Sequence, residues 1–549
     1  MRKLIASLVA VGMVAVACSG DDTTDGTDNT SGGGVTTQGD GPTTEPTGDT
    51  EPAPDTTDTS EPGADIIPAT GIDGQTIKIV IPAKLEACGD DEATASASVM
   101  DDEARDGLAE YIAFFNDEVL AESGYSLDAE IVDDGGVYCP EKARAAGRRI
   151  VEEIKPFAVI GDSQNLDQGP IVADMVTAAG IRHIGLAWNT TAPYAERPYY
   201  AFGLVHLAET AMTNLVDYIS ARVDGTPGHD PATRDEVDER RYGYVTIDLP
   251  EYHEIVDQVS AAMDAAGLEL EQTYFLSPDP AVAGQNVATL VTRMAEDGIN
   301  SLLFDFFSLA GASSGSTLTH TMAEQNYRPD IYVGTKGLAA IFGPLWEPTV
   351  WEHAEGISSF SPLALRAALV ANDDGTFGYD PAYADINENV DPVVDIWEYL
   401  GHADAVTVGH NIVFGLGILA AGILESGDEL TAESWAEGLW STAVGEPNRC
   451  TLNRFYSGTD SEFIPNASFA KGDVRGPITQ FTTVHWVSEP TDLGLPGIWE
   501  SYDNYAYVDS MDELPAEPSH DTSVTPPDIP LPEPIGVHPW TTCEELGLR

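Results

Sequence analysis

Apolar positions recur along this chain in two alternating rhythms. Thr76 to Ile81 (TIKIVI) is a compact β-branched run, the pattern of a strand covered on both faces. Between Val99 and Leu120 the period becomes helical, with Leu108, Tyr111, Ile112, Phe115 and Val119 on one face. Leu127 to Val132 is a second strand. Pro140 stands at the favoured first-turn position of a helix that runs to about Lys155, and Pro156 ends it. Phe157 to Ile160, a helix from Asp167 to Ala179 and Ile181 to Ala187 (IRHIGLA) continue the strand, helix, strand order. This succession predicts a parallel α/β sheet.

A second series follows a polar insertion at 224–241. Tyr242 to Ile247, a helix from about Glu251 to Ala266, Leu268 to Leu276, a helix from Val282 to Asp297, Ser301 to Phe307, a helix near Leu318 to Gln325 and Ile331 to Val333 keep a similar spacing. A chain of 549 residues exceeds what one core supports. The fold class expected is therefore α/β, with two doubly wound parallel-sheet lobes in tandem joined by a hinge. Ligands of open parallel sheets settle at polar corners beyond strand C-termini. The stretch FAVIGDSQNLDQGP (157–170) holds such a corner between a strand and a helix.

Charge narrows the partners. The formal net charge of -66 opposes binding to nucleic acid or attraction to anionic lipid. Residues 19–66 carry 12 acidic residues and no Lys or Arg, so most of the surplus lies on the folded part, as a well-solvated surface. Residues 19–70, rich in Asp, Thr, Gly and Pro, bury too little to offset their ordering entropy and are expected to form a disordered tether. Residues 370–392 are loop-rich, and 515–540 are Pro-rich and extended.

The start of the chain, MRK followed by apolar Leu4 to Ala17, has the layout of an export signal too short to span a bilayer. Ala15-Val16-Ala17-Cys18 resembles a bacterial lipobox, which implies that Cys18 is lipidated and anchors the protein on the outer face of a membrane. Ala15 departs from the usual Leu or Val, and plain secretion is the alternative. Ile412 to Leu424 is the longest later apolar run and reads as a buried core helix. Cys88, Cys139, Cys450 and Cys543 remain, an even number for which disulfides are the default in an exported chain. Cys88 and Cys139 each follow a strand, and adjacent parallel strands would bring them together; Cys450 and Cys543 are then the second pair. No CxxC or HxxxH spacing supports zinc, so neither metal nor cofactor is expected.

VIGDSQNLDQGPIVADMVTAAGIRHIGLAWNTTAPY (159–194) is similar to a stretch of type I periplasmic binding proteins, the branched-chain amino acid-binding family of ABC transporters. YVGTKGL (332–338) looks like a strand and turn of that family's second lobe. VTVGHNIVFGLGILAAGILESG (406–427) resembles the long helix that returns to the first lobe, and VHWVSE (484–489) a late strand. The resemblance spans roughly 75–508 and rests on the order of weak motifs. It implies a first lobe at 71–203 with about 395–445, a second at 204–360 with about 478–508, and a Pro-rich tail at 509–549 pinned by the Cys450 to Cys543 disulfide.

The same resemblance implies ligand contacts. Ser163 and Gln164, with Asn165 beside them, would take a ligand carboxylate, in keeping with the field at a helix N-terminus. Helix capping is the other reading of Ser163 and Asn165. Asn189, Thr190 and Thr191 would supply a second first-lobe contact; Trp188 and Tyr194 either wall an apolar ligand or belong to the core. In the second lobe the contacts fall on Asp248 and Tyr252. Asp305 in LLFDFF is costly unless paired, by a ligand ammonium, a buried Arg or backbone donors. Lys336 stands where the family often has an acidic or neutral residue, and the family's Phe-Arg pair after the fourth strand is absent.

The function this implies is a monomeric solute receptor that closes on a small molecule, an amino acid or related amide or carboxylate, and presents it to an ABC transporter permease. Two alternatives stand beside it. Gly311-Ala312-Ser313-Ser314-Gly315 matches the G-x-S-x-G pattern of a secreted serine hydrolase, with Asp395 and His410 downstream but no HGGG-type segment before it. The other is a ligand-sensing receptor without transport. His253-Glu254 lacks the second His of a metalloprotease motif, and His410 reads as a structural histidine.

Overall fold

The computed structural model describes residues 70–85, 100–135, 139–161, 170–204, 207–278, 280–305, 309–335, 347–358, 370–371, 377–378, 396–397, 399–402, 408–427, 429–441, 482–488, 498–502 and 510–514. The first sheet contains β1 (Ile72–Asp73), β2 (Thr76–Ala83), β3 (Ser126–Asp133), β4 (Ala158–Ile160), β5 (Arg182–Gly185) and β6 (Ala201–Gly203). β1 folds back antiparallel on β2, while β2 pairs in parallel with both β3 and β4, and β5 and β6 follow. The parallel order is thus β3-β2-β4-β5-β6, a doubly wound sheet whose order reverses between β2 and β4.

The two-residue period of β2 explains its double burial. Ile77, Ile79 and Ile81 join one apolar layer and Val80 the other, and all four are fully buried. The first layer is covered by α1 (Asp102–Phe114), the second by α2 (Pro140–Arg149) and α3 (Ile171–Ala178). Asp101 caps α1 by accepting from the Ala104 N–H at 2.9 Å, and Pro140 opens α2. α1 and α2 each continue through one π-helical turn, to Val119 and Ile154.

The second sheet repeats the plan. α4 (Ala208–Tyr218) leads through β7 (Gly228–His229) and β8 (Glu236–Val237), a small hairpin in the polar insertion, to β9 (Tyr242–Ile247). α5 (Pro250–Ala266), β10 (Leu270–Leu276), α6 (Pro280–Glu296), β11 (Ser301–Phe304), α7 (Leu309–Glu324), β12 (Asp330–Thr335) and β13 (Ala354–Ser358) follow. The order β10-β9-β11-β12-β13 is the same reversal, now between β9 and β11. Gly267 closes α5 in the left-handed conformation, which only glycine adopts without strain.

Late segments return to both halves. α8 (His410–Leu424) and α9 (Ala432–Ser441) pack on the first sheet, where Leu416, Leu419 and Trp435 share a core with Ile79 and Ile160. β14 (Thr482–Val487) and β15 (Ile498–Ser501) extend the second sheet antiparallel to β13 and to each other. Trp351, fully buried between Phe304, Trp486 and Trp499, locks them there. The main apolar clusters separate accordingly, and among the described residues the chain passes from one half to the other three times, first between Leu207 and Ala208. The architecture is two doubly wound α/β lobes. Among the described residues no helix is long and apolar enough to cross a membrane.

Candidate functional site

In open parallel sheets ligands settle at the strand C-termini, beside the reversal of strand order that each lobe has. In the first lobe that edge is built on two glycines. Gly161 ends β4 with φ +108, and a Cβ on Gly185 would lie 2.3 Å from the Gly161 carbonyl oxygen. Gly185→Ala is therefore expected to force β4 and β5 apart at the site. It should destabilise by about 1–3 kcal/mol, read in equilibrium unfolding.

Beyond β5 the chain turns through Trp188, Asn189, Thr190 and Thr191 into a one-turn helix, Ala192–Glu196. Trp188 and Tyr194 are core, edge to face at 5.4 Å, and the Trp188 indole N–H donates to Asp174 at 3.2 Å. Burial, reinforced by the Glu251 charge, pushes the Tyr194 hydroxyl above its ordinary range. Asn189 and Thr190 are buried, and the corner faces two carboxylates of the second lobe.

The Asn189 backbone N–H donates to Glu251 Oε2 at 3.2 Å and its amide Nδ2 to Oε1 at 3.1 Å. The Thr191 backbone N–H donates to Glu209 Oε2 at 2.6 Å, and its hydroxyl to Oε1 at 2.9 Å. Glu209 and Glu251 lie in the first turns of α4 and α5, where the helix field favours negative charge. The corner thus donates to two carboxylates of the second lobe, and it joins the C-terminal edges of the two sheets. Neither glutamate stood out in the sequence, where each reads as an ordinary acidic residue in a helix first turn.

The predicted second-lobe residues divide. Asp248 is exposed just beyond β9 and pairs with His253 at 2.9 Å, the His253 ring stacking on Phe275 at 4.2 Å. Tyr252 is fully buried within the lobe's core. Asp305, just beyond β11, is fully buried and accepts from the Tyr244 hydroxyl at 2.6 Å and from Thr246 Oγ1 at 3.3 Å. Hydroxyls of the neighbouring strand are among the donors that hold this carboxylate. Burial first, then the Asp305 charge and hydrogen bond, hold the Tyr244 hydroxyl well above its usual range. Ser163, Gln164, Asn165 and Lys336 lie outside the described residues, as do Cys18, Cys88, Cys450 and Cys543. Cys139 is disulfide-bonded, and β2 and β3, whose ends precede Cys88 and Cys139, are parallel neighbours.

The GASSG segment falls within the first two turns of α7. A nucleophile elbow needs its Ser on a sharp turn between strand and helix, so Ser313 does not stand in one.

Two doubly wound α/β lobes thus present their C-terminal edges to each other. Solved structures of similar fold are solute-binding proteins of ABC transporters. One from Rhodopseudomonas palustris BisB5, in complex with 3,4-dihydroxybenzoic acid, is 12% identical over 79% of this chain and 98% of its own, with a TM-score of 0.49. A substrate-binding protein from Aeropyrum pernix is 12% identical over 78% of this chain and 94% of its own, with a TM-score of 0.49. A putative branched-chain amino acid ABC transporter protein from Rhodospirillum rubrum is 12% identical over 75% of this chain and 97% of its own, with a TM-score of 0.42. No protein-family model and no curated protein matches the chain.

Proposed function

We infer that the protein is an extracytoplasmic solute receptor, anchored by lipid at Cys18, that closes on a small molecule and delivers it to an ABC transporter permease. The observation that carries this reading is the meeting of the C-terminal edges of the two sheets across Asn189, beyond β5, and Glu251, beyond β9. Closure on a ligand requires contacts from both lobes, because only a ligand that binds the closed state better can shift the balance. The ligand class proposed is an amino acid or a related amide or carboxylate. Its anionic end would meet the donors at Ser163, Gln164 and Asn165 and those at Asn189 and Thr191. A cationic end would face Glu251 and Asp305. The 71–203 and 395–445 segments form the first lobe in this reading, 204–360 and 478–508 the second, and Cys88 pairs with Cys139, which a non-reducing peptide map tests.

A thermal-shift screen tests the binding reading, with amino acids, amides, short-chain acids and hydroxybenzoates as its arms. A true ligand at a hundred times its Kd adds about 2.7 kcal/mol to stability. The double variant Ser163→Ala with Gln164→Leu should lose at least tenfold in affinity while the lobe stays folded. No shift from any arm, or unchanged affinity in the double variant, overturns the assignment.

A further inference from the structure

At the opposite pole of the second lobe, away from the strand C-termini, three side chains converge from distant parts of the chain. His229 comes from the β7–β8 hairpin, Asp330 begins β12, and His353 immediately precedes β13. One ligating atom from each lies within 4.8 Å of the others. His229 Nδ1 is 2.9 Å from Asp330 Oδ1, and the two imidazoles stack at 4.0 Å with planes 19° apart. Asp330 is only 2% exposed, while His353 is at the surface.

We propose that His229, Asp330 and His353 bind a divalent transition-metal ion, zinc in the first place, which pins the insertion hairpin to the pole of the second lobe. Two imidazoles and one carboxylate suit zinc, copper or nickel, whereas calcium and magnesium take oxygen donors. Bonds of about 2.0–2.2 Å in a tetrahedron put neighbouring donor atoms about 3.3 Å apart. The His229 to Asp330 separation is already close to that edge. The other donors need to close by up to about 1.5 Å and the His353 ring must turn out of its stack on His229, movements that exposed His353 on a turn accommodates.

The surroundings support the carboxylate. Arg240 holds Asp330 Oδ2 at 2.9 Å and fixes the carboxylate as outer partners of metal ligands do, while His229 Nδ1 lies 2.9 Å from Oδ1 and 3.1 Å from Oδ2. Arg240 also donates to the Tyr332 hydroxyl and to Ser301 Oγ at 3.2 Å, so its own position is determined. Arg234 stands 3.7 Å from Oδ1 and 3.8 Å from Glu352 Oε2, a cation that must swing toward Glu352 when the metal enters. The surface position of His353 leaves the fourth coordination place to water.

The full chain, stripped with EDTA, is titrated with zinc chloride by calorimetry, with calcium chloride as control, and cobalt spectra report coordination. Expected are one zinc per chain, no comparable calcium response, and d–d bands of a four- or five-coordinate cobalt site. His353→Ala, at an exposed position that leaves the fold intact by circular dichroism, should weaken zinc at least a hundredfold. Arg240→Gln should weaken it about tenfold to a hundredfold. Absence of stoichiometric zinc binding, or binding of unchanged affinity in either His353→Ala or His229→Ala, overturns the assignment and leaves the trio as an anchor for the hairpin.

Discussion

Glu251→Ala is expected to part the two lobes of the ligand-free protein. Glu251 offers one carboxylate to two donors of Asn189, and hydrogen bonds to a charged group contribute about 1.5–3 kcal/mol each. Losing both removes about 3–6 kcal/mol from the closed arrangement, more than a hundredfold in the ratio of closed to open. Solution scattering should register this as a larger radius of gyration for Glu251→Ala than for the parent. Glu251→Gln retains an acceptor for the amide and should lie between. Thr191 and Glu209 make a similar pair beside the first crossing of the chain, so the open form stays tethered there. Identical scattering from all three proteins would show that the Asn189 contact does not hold the lobes.

The same contact bears on recognition. An incoming carboxylate that seeks the Asn189 N–H competes with Glu251 for it, whereas an ammonium group meets Glu251 as a partner. Glu251→Gln should therefore favour simple acids over zwitterionic amino acids, and a thermal-shift comparison of the two classes reads this directly. The position is decided by tertiary meeting of two helix and strand ends, which no local pattern announces.

How far the chain could be read in advance follows from the range of each signal. Tyr242–Ile247 is a strand with the bounds its apolar run implies, because burial on both faces is written into consecutive residues. Helix α7 begins at Leu309, well before the expected Leu318, because LAGASSGS carries neither helical periodicity nor strong propensity to announce it. Asp305 was recognisable as a buried carboxylate in need of a partner. That partner comes from Tyr244 and Thr246, two residues apart on β9 and so on one face of the sheet. His229, Asp330 and His353 are separated by far more chain than any spacing rule spans, so their convergence was invisible. Gly161 reads as part of the polar corner and Gly185 as an ordinary strand position; the approach of the two strand ends explains why Gly185 carries no side chain.

His183 should make the first lobe acid-labile. It sits on β5 opposite Val159 and Ala201, fully buried, edge-on to Trp188 at 5.6 Å. Neither ring nitrogen has a hydrogen-bond partner among the described residues, and burial lowers its pKa to about 3 from the model-peptide 6.5. Between those values the unfolded chain binds a proton that the folded lobe refuses, so stability rises with pH across the window. The contribution is complete above about pH 6.5 and is lost as pH falls. With 1.36 kcal/mol per unit, about 2 kcal/mol is gone at pH 5 and about 4 kcal/mol at pH 3. Denaturant unfolding at pH 7 and pH 5 checks this against His183→Phe, which keeps an aromatic ring and cannot titrate. The carboxylates contribute equally to both proteins, so the difference of their two slopes isolates His183. Parallel slopes would mean that the imidazole reaches solvent or a hidden acceptor in the folded lobe. Because β5 leads into the Asn189 and Thr191 corner, the same protonation should loosen the bonds of that corner to Glu251 and Glu209, and any ligand-induced thermal shift should fall between pH 7 and pH 5 in the parent more steeply than in His183→Phe.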